Sequence, residues 1–484
     1  VTLKGSTTVR GNTVMRGDAA NLTVDENRTL TTKNVLATTT GSVAFTLRDG
    51  ALLDITENAT LFSGFDTDRG DSITLGAASA IGVEAGKTAT QAAGAHIGGS
   101  GDLVKTLGGT LTLTTQNRYA GETRIRGGRL VLNTAATAGT STTAVDTGDA
   151  TGAGTLVFNR TDDYGFTRSI TGTGGIEKTG TGTVRLQSSE TYDYTGSTDV
   201  RRGELVIGEG VRVDGSNALR IGALSEGTTA GVTLEGRAAF TGAIDLGEHA
   251  AKNTRNTLNI SGATIEAARI ARSASAASEA QVGVILSEGG TLKITQSSDM
   301  LQNFKASDTF ELGDGGGAIS VAAGARVVQT QGTVIRDQET STHDRDLHKT
   351  GAGRLILTGP NTFTGKLYAD EGILQASNES LSSEVNPGGT GEIRVARGAV
   401  FATGFSDTWR MGSEIGGAIR QLTGEGSYMQ AGSGTVIVDS AQQYGGDTLI
   451  RAGVLELSDG GVLGTGTSAI DTGEGKERGL LAFN

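Results

Sequence analysis

Four segments of this 484-residue chain follow one pattern, and this repetition restricts the possible folds more than any other feature of the sequence. Each copy has a Lys or Gln, a Gly-rich turn, an alternating strand, a polar turn, an aromatic residue two positions before a Gly, a second strand and a closing Gly-x-Leu. The copies begin at Gly101, Gly175, Leu347 and Gly426. Repeats of this length are typical of solenoids, propellers and arrays, in which each unit buries its apolar face against its neighbours.

Equivalent positions in the four copies carry similar residues. The leading residues are Lys105, Lys178, Lys349 and Gln430, and the aromatic residues are Tyr119, Tyr194, Phe363 and Tyr444. Residues 101–159 and 426–484 also align without a gap, so the sequence stops at a point where the first copy continues. We therefore expect the native protein to extend beyond Asn484.

Short alternating runs such as Thr110 to Thr114 predict strands, and no amphipathic helix of useful length is found. The copies begin at irregular distances, which disfavours a propeller, and no linker composition divides the chain into sandwich domains. A solenoid also explains the 77 Gly residues and only 2 Pro residues, because Gly suits coil corners and Pro would break ladder hydrogen bonds. At roughly 20–25 residues per coil, the chain would make about 20 coils.

We therefore predict one β-helical domain over residues 1–484, about 90–100 Å long at the usual strand spacing. The repeat pattern weakens between Ile221 and Asp344. Loop insertions are predicted at residues 262–284, where a short helix is the alternative, and at residues 336–347.

Composition excludes several classes of protein. The absence of Cys rules out disulfide scaffolds and thiolate metal sites. A net charge of -12 makes nucleic acid an unsuitable partner, and no apolar stretch is long enough for a membrane span.

The copies resemble the passenger-associated transport repeat of Gram-negative autotransporters, and Leu347 to Ser377 carries most of that pattern. Ala469 to Gly473 is also similar to this family. The resemblance implies a right-handed parallel β-helix, exported to the cell surface by an outer-membrane barrel that is absent from this sequence. AIDA-type self-associating adhesins are the most similar subgroup.

The candidate catalytic and metal-binding residues match their motifs poorly. Gly70-Asp71-Ser72 lacks the final Gly of a serine-protease loop, and the chain has only 4 His residues to supply a base. His343 and His348 could ligate a metal but are better explained as part of a polar loop. Asp308, Glu311 and Asp314 form one poor match to a calcium turn. We expect no catalytic residues, no metal and no cofactor.

Two kinds of binding residue are candidates. Arg124, Arg126 and Arg129 form a basic cluster, and Arg201 and Arg202 occupy nearly the same repeat position in the next copy. If stacked coils aligned these arginines, the stripe could bind a sulfated glycan or another polyanion. Two Arg-Gly-Asp triplets, Arg16-Gly17-Asp18 and Arg69-Gly70-Asp71, could serve as integrin-type loops if exposed, although ordinary turns explain them as well.

The leading hypothesis is a bacterial surface adhesin that binds identical chains on neighbouring cells and so promotes aggregation and biofilm formation. The alternative is an adhesin for a host matrix protein or glycosaminoglycan. An enzyme with a groove in the solenoid is disfavoured because no dense cluster of carboxylates is found. We expect no contact of this segment with the membrane.

Overall fold

The computed structural model describes residues 1–343, 345–377, 379–380, 392–412, 421–465, 469–474 and 478–484. These residues form a parallel β-solenoid of about 17 turns, which confirms the predicted all-β solenoid. The described part contains one short 3-10 helix, Thr67–Arg69. None of its residues forms a helix that is both long and apolar enough to cross a bilayer.

The chain divides into two compact units, Val1–Arg220 and Ile221–Asn484, with the strand Ala218–Ile221 at the division. The prediction of one domain over residues 1–484 therefore stays a prediction. Apart from one short antiparallel pair in the first unit, the described strands of each unit pair in parallel with strands one coil away in sequence.

The first unit has three main faces. Its first sheet stacks Thr2–Leu3, Ala20–Val24, Val43–Leu47, Ser72–Leu75 and Ile97–Gly98. Its second sheet stacks Thr7–Thr8, Thr29–Thr32, Leu52–Ile55, Ala80–Val83, Leu103–Thr106, Thr123–Ile125, Val145–Asp146, Ile170–Gly172 and Asp193–Tyr194. Its third sheet stacks Ala59–Leu61, Thr88–Gln91, Thr110–Leu113, Arg129–Asn133, Thr155–Asn159, Gly175–Lys178 and Thr198–Val200. Shorter pairings involve Thr13–Met15 with Val35–Ala37, the antiparallel pair Gly148–Asp149 and Gly152–Ala153, and the stack Tyr164–Phe166, Thr183–Leu186 and Gly203–Ile207. The strand Arg212–Val213 forms a bridge to Tyr192.

The second unit is built in the same way. A five-strand stack contains Thr229–Glu235, Arg255–Ser261, Gln281–Ser287, Thr309–Leu312 and Ile335–Asp337. The next face contains Ala239–Thr241, Thr264–Ala267, Gly290–Ile294, Gly317–Val321, Leu347–Thr350, Leu367–Ala369, Glu392–Val395, Gln421–Gly424 and Gln443–Tyr444. A further face contains Ser298–Met300, Arg326–Gln329, Arg354–Leu357, Ile373–Ala376, Val400–Thr403, Ser427–Gln430, Thr448–Ile450 and Ile470–Asp471. The remaining strands are Ala243–Leu246 paired with Ile270–Arg272, and the stack Thr408–Met411, Thr435–Val438, Val454–Leu457 and Leu480–Phe483.

The core consists of columns of inward side chains that repeat from coil to coil. Leu22, Phe45, Ile73 and Ile97 form one such column, and all are buried. Each residue contacts its counterparts about 4.8 Å above and below. A small aliphatic set per coil therefore gives a continuous core in a chain with 4% aromatic residues.

Several coils are longer than the roughly 20–25 residues expected from the sequence, so the solenoid has about 17 turns instead of about 20. Paired residues are 20 positions apart at Leu103 and Thr123, but 28 apart at Ala44 and Ser72. The shortest spacing, 19 residues, occurs in the first, third and fourth repeats, at Thr110 and Arg129, Arg354 and Ile373, and Thr435 and Val454.

The prediction of a loop insertion over residues 262–284 is wrong for most of that range. Thr264–Ala267 and Ile270–Arg272 are strands of the solenoid, and Gln281 begins another. Their alternation is masked in the sequence by small residues such as Ala267 and Ala271, which are nevertheless buried. Only residues 273–280 form a turn. In the second predicted insertion, 336–347, a strand ends at Asp337 and another begins at Leu347.

Candidate functional site

The leading lysines of three repeats lie inside the solenoid core. Strand alternation places Lys105 on the same side as Leu103, in a column with Leu53, Ile81 and Ile125. Lys105 has no exposed surface. Lys178 and Lys349 occupy equivalent positions in the columns of their own copies.

Each buried ammonium binds main-chain carbonyl oxygens at a coil corner. Lys349 Nζ donates to the carbonyl oxygens of Thr350 (2.7 Å), Gly351 (2.5 Å) and Glu371 (2.9 Å). Lys105 Nζ has the same arrangement, at 2.6 to 3.1 Å from its three carbonyls. Lys178 Nζ donates to Gly180 and Arg202. The N–H donors of each ammonium group thus bind carbonyl oxygens that have no hydrogen-bond partner in a β-sheet, because the chain turns sharply at the corner.

Burial lowers the pKa of each of these lysines to about 8. In the fourth copy Gln430 takes the same position, and its Nε2 donates to the carbonyls of Gly432 and Gly434, each at 3.2 Å. The corner therefore requires a buried donor, and a neutral amide can supply it.

A second recurring contact joins the aromatic residue to the side chain four positions later. The hydroxyl of Tyr444 is 2.5 Å from Thr448 Oγ1, and both side chains are buried. The same pairing occurs at Tyr119 with Thr123 and at Tyr194 with Thr198. Where the aromatic residue is Phe363, the partner position is Leu367. The residue types change together because a buried hydroxyl needs a partner and a phenyl ring does not.

Substituting Tyr444 and Thr448 singly and together should show that the two side chains are energetically coupled. In Thr448→Leu the Tyr444 hydroxyl is buried without a partner, and we expect a local cost of about 1–3 kcal/mol. Tyr444→Phe should also be destabilising. The double variant, which recreates the Phe363–Leu367 combination, should cost less than the sum of the two single changes. Hydrogen exchange of residues 427–457 measures the local opening free energy, and additive costs would contradict the interpretation.

A buried amide before the aromatic residue completes the corner. Asn117 Oδ1 accepts from Gln91 Nε2 (2.7 Å) and from the Ile97 N–H (2.9 Å). Asn361 makes the same two bonds, with Gln329 and Ile335, in the third copy. The lysines and these amides were missed as core residues by the sequence analysis, although strand alternation would have placed the lysines inside.

The predicted arginine stripe is not formed. Arg126 lies one residue after Thr123–Ile125 of the second sheet, whereas Arg201 follows Thr198–Val200 of the third sheet. Between the two copies the chain makes a non-integral number of coils, so the same repeat position lies on different faces.

Most of these arginines are also paired with carboxylates. Arg124 contacts Asp102 and Glu122, and Arg126 contacts Asp146 and Asp149. Arg129 bonds to Glu177 at 2.7 Å and Arg201 to Asp199 at 3.0 Å, whereas Arg202 is exposed. Acidic partners neutralise much of the charge that a polyanion site would need.

The two Arg-Gly-Asp triplets differ in exposure. Arg16, Gly17 and Asp18 are all exposed in a turn, and Gly17 has a φ of +88°. In the second triplet Arg69 ends the 3-10 helix, Gly70 has a φ of +106°, and the Asp71 side chain is 0% exposed. Asp71 accepts hydrogen bonds from the Val43 and Asp66 N–H groups, so it cannot reach an integrin-type partner.

The candidate catalytic and metal residues each have structural partners. His348 stacks on Tyr368, with ring centroids 4.3 Å apart, and bonds to Asp370 at 2.7 Å. His343 bonds to Thr342. Among the described residues, no group of three or more His, Cys, Asp and Glu side chains could hold a metal ion.

The three acidic residues of the possible calcium turn also do not converge. Asp308 binds Arg272, and Glu311 binds Arg336. Asp314 accepts bonds from Ser341 and from the N–H groups of His343 and Thr342, which lower its pKa to about 2.

The outer face of the first sheet carries a row of threonines. Thr2, Thr23, Thr46 and Thr74 follow one another in register, one per coil. A neighbouring outward row contains Asn21, Ala44 and Ser72, so neither row has a charged residue. The hydroxyls repeat about every 4.8 Å and are each both donor and acceptor.

The passenger-associated-transport-repeat family matches residues 103–132, 176–207, 347–376 and 430–457. A curated relative, the adhesin BmaC autotransporter of Brucella suis biovar 1 (strain 1330), is 27% identical over an alignment that covers 75% of this chain. The alignment covers 13% of that protein, so this chain spans a small part of its length. No solved structure matches the chain.

These two matches support an autotransporter passenger domain.

Proposed function

We propose that this chain is part of a non-enzymatic, self-associating adhesin displayed on the outer membrane of a Gram-negative bacterium. It binds identical chains on neighbouring cells and thereby promotes aggregation and biofilm formation. The similarity to an adhesin supports the general role, and the uncharged threonine rows of the first sheet carry the proposal of self-association.

The net negative charge of the chain favours the uncharged outer face of the first sheet as the contact between two copies. With a net charge of -12, two copies repel each other over most of their surface. The rows Thr2–Thr23–Thr46–Thr74 and Asn21–Ala44–Ser72 allow two copies to approach without opposing like charges. A hydroxyl that both donates and accepts is also complementary to an identical hydroxyl, as a symmetric contact requires.

The affinity would come from repetition. Each exposed hydrogen bond contributes little, but a row repeats the contact along the coils, and many chains per cell multiply it through avidity. Single molecules would then remain soluble while densely coated surfaces adhere.

The test uses two colours of beads, one coated with the chain and one bare. Coated beads should cluster with one another and exclude bare beads. Thr23→Glu combined with Thr74→Glu should reduce clustering at least about tenfold, because carboxylates would face each other across the contact.

The matched control is Thr88→Glu combined with Thr155→Glu, which adds the same charge to the third sheet. This variant should cluster like the unchanged chain. Equal clustering by bare beads, or equal loss in both double variants, would contradict the proposed interface.

A further inference from the structure

A polar cleft lies on the outer face of the five-strand stack of the second unit. It has a volume of about 350 Å³, and its lining includes Arg255, Gln281, Gly283, Glu311, Arg336 and Gln338. The cleft extends over successive rungs, since Arg255 pairs with Gln281, Gly283 with Thr309, and Glu311 with Arg336. This volume is at the lower end of the range for small-ligand sites.

Gly283 forms part of the floor of the cleft. A Cβ added there would lie 2.8 Å from Thr309 Oγ1 and 3.6 Å from Thr257 Cγ2. Its backbone has no positive φ that would require Gly. The Thr309 hydroxyl therefore lies against the position that a side chain at 283 would occupy, and the floor at this point consists of backbone and that hydroxyl.

A fixed ion pair forms one side of the cleft. Glu311 is 5% exposed, and its Oε1 accepts from Arg336 at 2.8 Å and 3.2 Å. Arg255 and Glu339 are exposed and add one charge of each sign. The lining therefore has no net charge, which disfavours a polyanion.

Three other side chains of the lining have hydrogen-bonding groups that are available to a ligand. Among the described residues, the guanidinium of Arg255 and the amides of Gln281 and Gln338 make no hydrogen bond to protein. The lining residue Val282 is 2% exposed, so the cleft offers little surface to an apolar peptide side chain. The site suits a polar ligand with closely spaced donors and acceptors.

We propose that this cleft binds a short stretch of a neutral glycan. Vicinal hydroxyls of a hexose each donate and accept, and they match the paired polar atoms of planar Gln, Glu and Arg side chains. The two glutamine amides and the Glu311–Arg336 pair hold one or two sugar units over Gly283. This site lies outside the threonine rows and does not depend on self-association.

The test measures binding of the whole chain to defined oligosaccharides by titration calorimetry and saturation-transfer NMR. The probes are neutral tetrasaccharides of glucose, mannose and galactose, with heparin tetrasaccharide as the anionic arm. At least one neutral probe should bind. Gln281→Ala combined with Gln338→Ala should weaken its affinity about tenfold, because two hydrogen bonds are lost.

Gln296→Ala is the matched control. Gln296 is an exposed glutamine of the same unit, outside the cleft, and its loss should leave binding unchanged. Gly283→Val should abolish binding by filling the floor, and its circular dichroism should match that of the unchanged chain. Failure of every neutral probe, binding that survives the glutamine changes, or binding of heparin alone would overturn the proposal.

Discussion

Asp308→Ala should be among the most destabilising single changes in the second unit, with a loss of about 3–5 kcal/mol in the local free energy of unfolding. The Arg272 guanidinium and the Asp308 carboxylate are 2% and 0% exposed, and Arg272 lies 3.0 Å and 3.1 Å from the two carboxylate oxygens. Removing the carboxylate leaves a buried cation without its counter-charge. A buried cation of this kind has lost its hydration, and neutral carbonyl oxygens replace only part of the lost interaction.

The change should also release the turn over residues 273–280. Arg272 donates to the carbonyl oxygens of Ala277 (2.6 Å) and Ala280 (2.9 Å), so the ion pair anchors this turn to the core. Asp308 in addition accepts from the Val282 and Lys305 N–H groups. Hydrogen exchange should therefore show faster opening over residues 270–287 than elsewhere in the unit.

Glu266→Ala is the control for burial. Glu266 and Lys293 form an ion pair at 2.8 Å, a similar distance, but their side chains are 39% and 40% exposed. Loss of the Glu266–Lys293 ion pair should lower the free energy of unfolding by less than about 1 kcal/mol, because water already screens the two charges. Equal costs for the two changes would show that burial of the Arg272–Asp308 pair is not what stabilises the turn.

Most of the fold could be predicted from the sequence because strand alternation and repetition are local signals. Thr110 to Thr114 alternate, and the structure has the strand Thr110–Leu113 there. The strands within 262–284 were missed because buried Ala residues give a weak apolar signal. The turn at 273–280 depends on Arg272 and Asp308, which lie 36 residues apart in sequence.

The placement of surface residues was less predictable. Arg126 and Arg201 share a repeat position, but their faces depend on the lengths of all intervening corners. The two Arg-Gly-Asp triplets are identical in sequence, yet Asp71 is buried by its bonds to Val43 and Asp66 while Asp18 is exposed. The two donors lie at the start of the 3-10 helix and in a strand of the previous coil. The triplet sequence alone therefore does not determine whether its Asp is buried.

Lys349→Ala should destabilise its repeat by about 2–4 kcal/mol, since it leaves a cavity and three carbonyl oxygens without donors. Lys349→Gln should cost much less, because Gln430 already fills the equivalent corner with donors to Gly432 and Gly434. Hydrogen exchange over residues 347–376 measures both variants. Equal losses for Ala and Gln would contradict the role of the side chain as a buried donor.

The pH dependence of stability gives an independent test of the buried lysines. Burial lowers the pKa of Lys349 from 10.5 to about 8 in the folded chain. Between these values the folded chain has released a proton that the unfolded chain retains, so raising the pH favours folding. The unchanged chain should therefore gain stability relative to Lys349→Gln as the pH rises from about 8 to 10.

Above about pH 10 the buried tyrosines act in the opposite direction. Burial raises the pKa of Tyr444 to about 12, so the unfolded chain loses its phenolic protons first and folding is disfavoured. Both variants contain these tyrosines, and their contribution cancels in the difference. The measurement is the urea midpoint from circular dichroism at several pH values, and a difference that stays constant from pH 7 to 10 would show that the Lys349 ammonium keeps its ordinary pKa in the core.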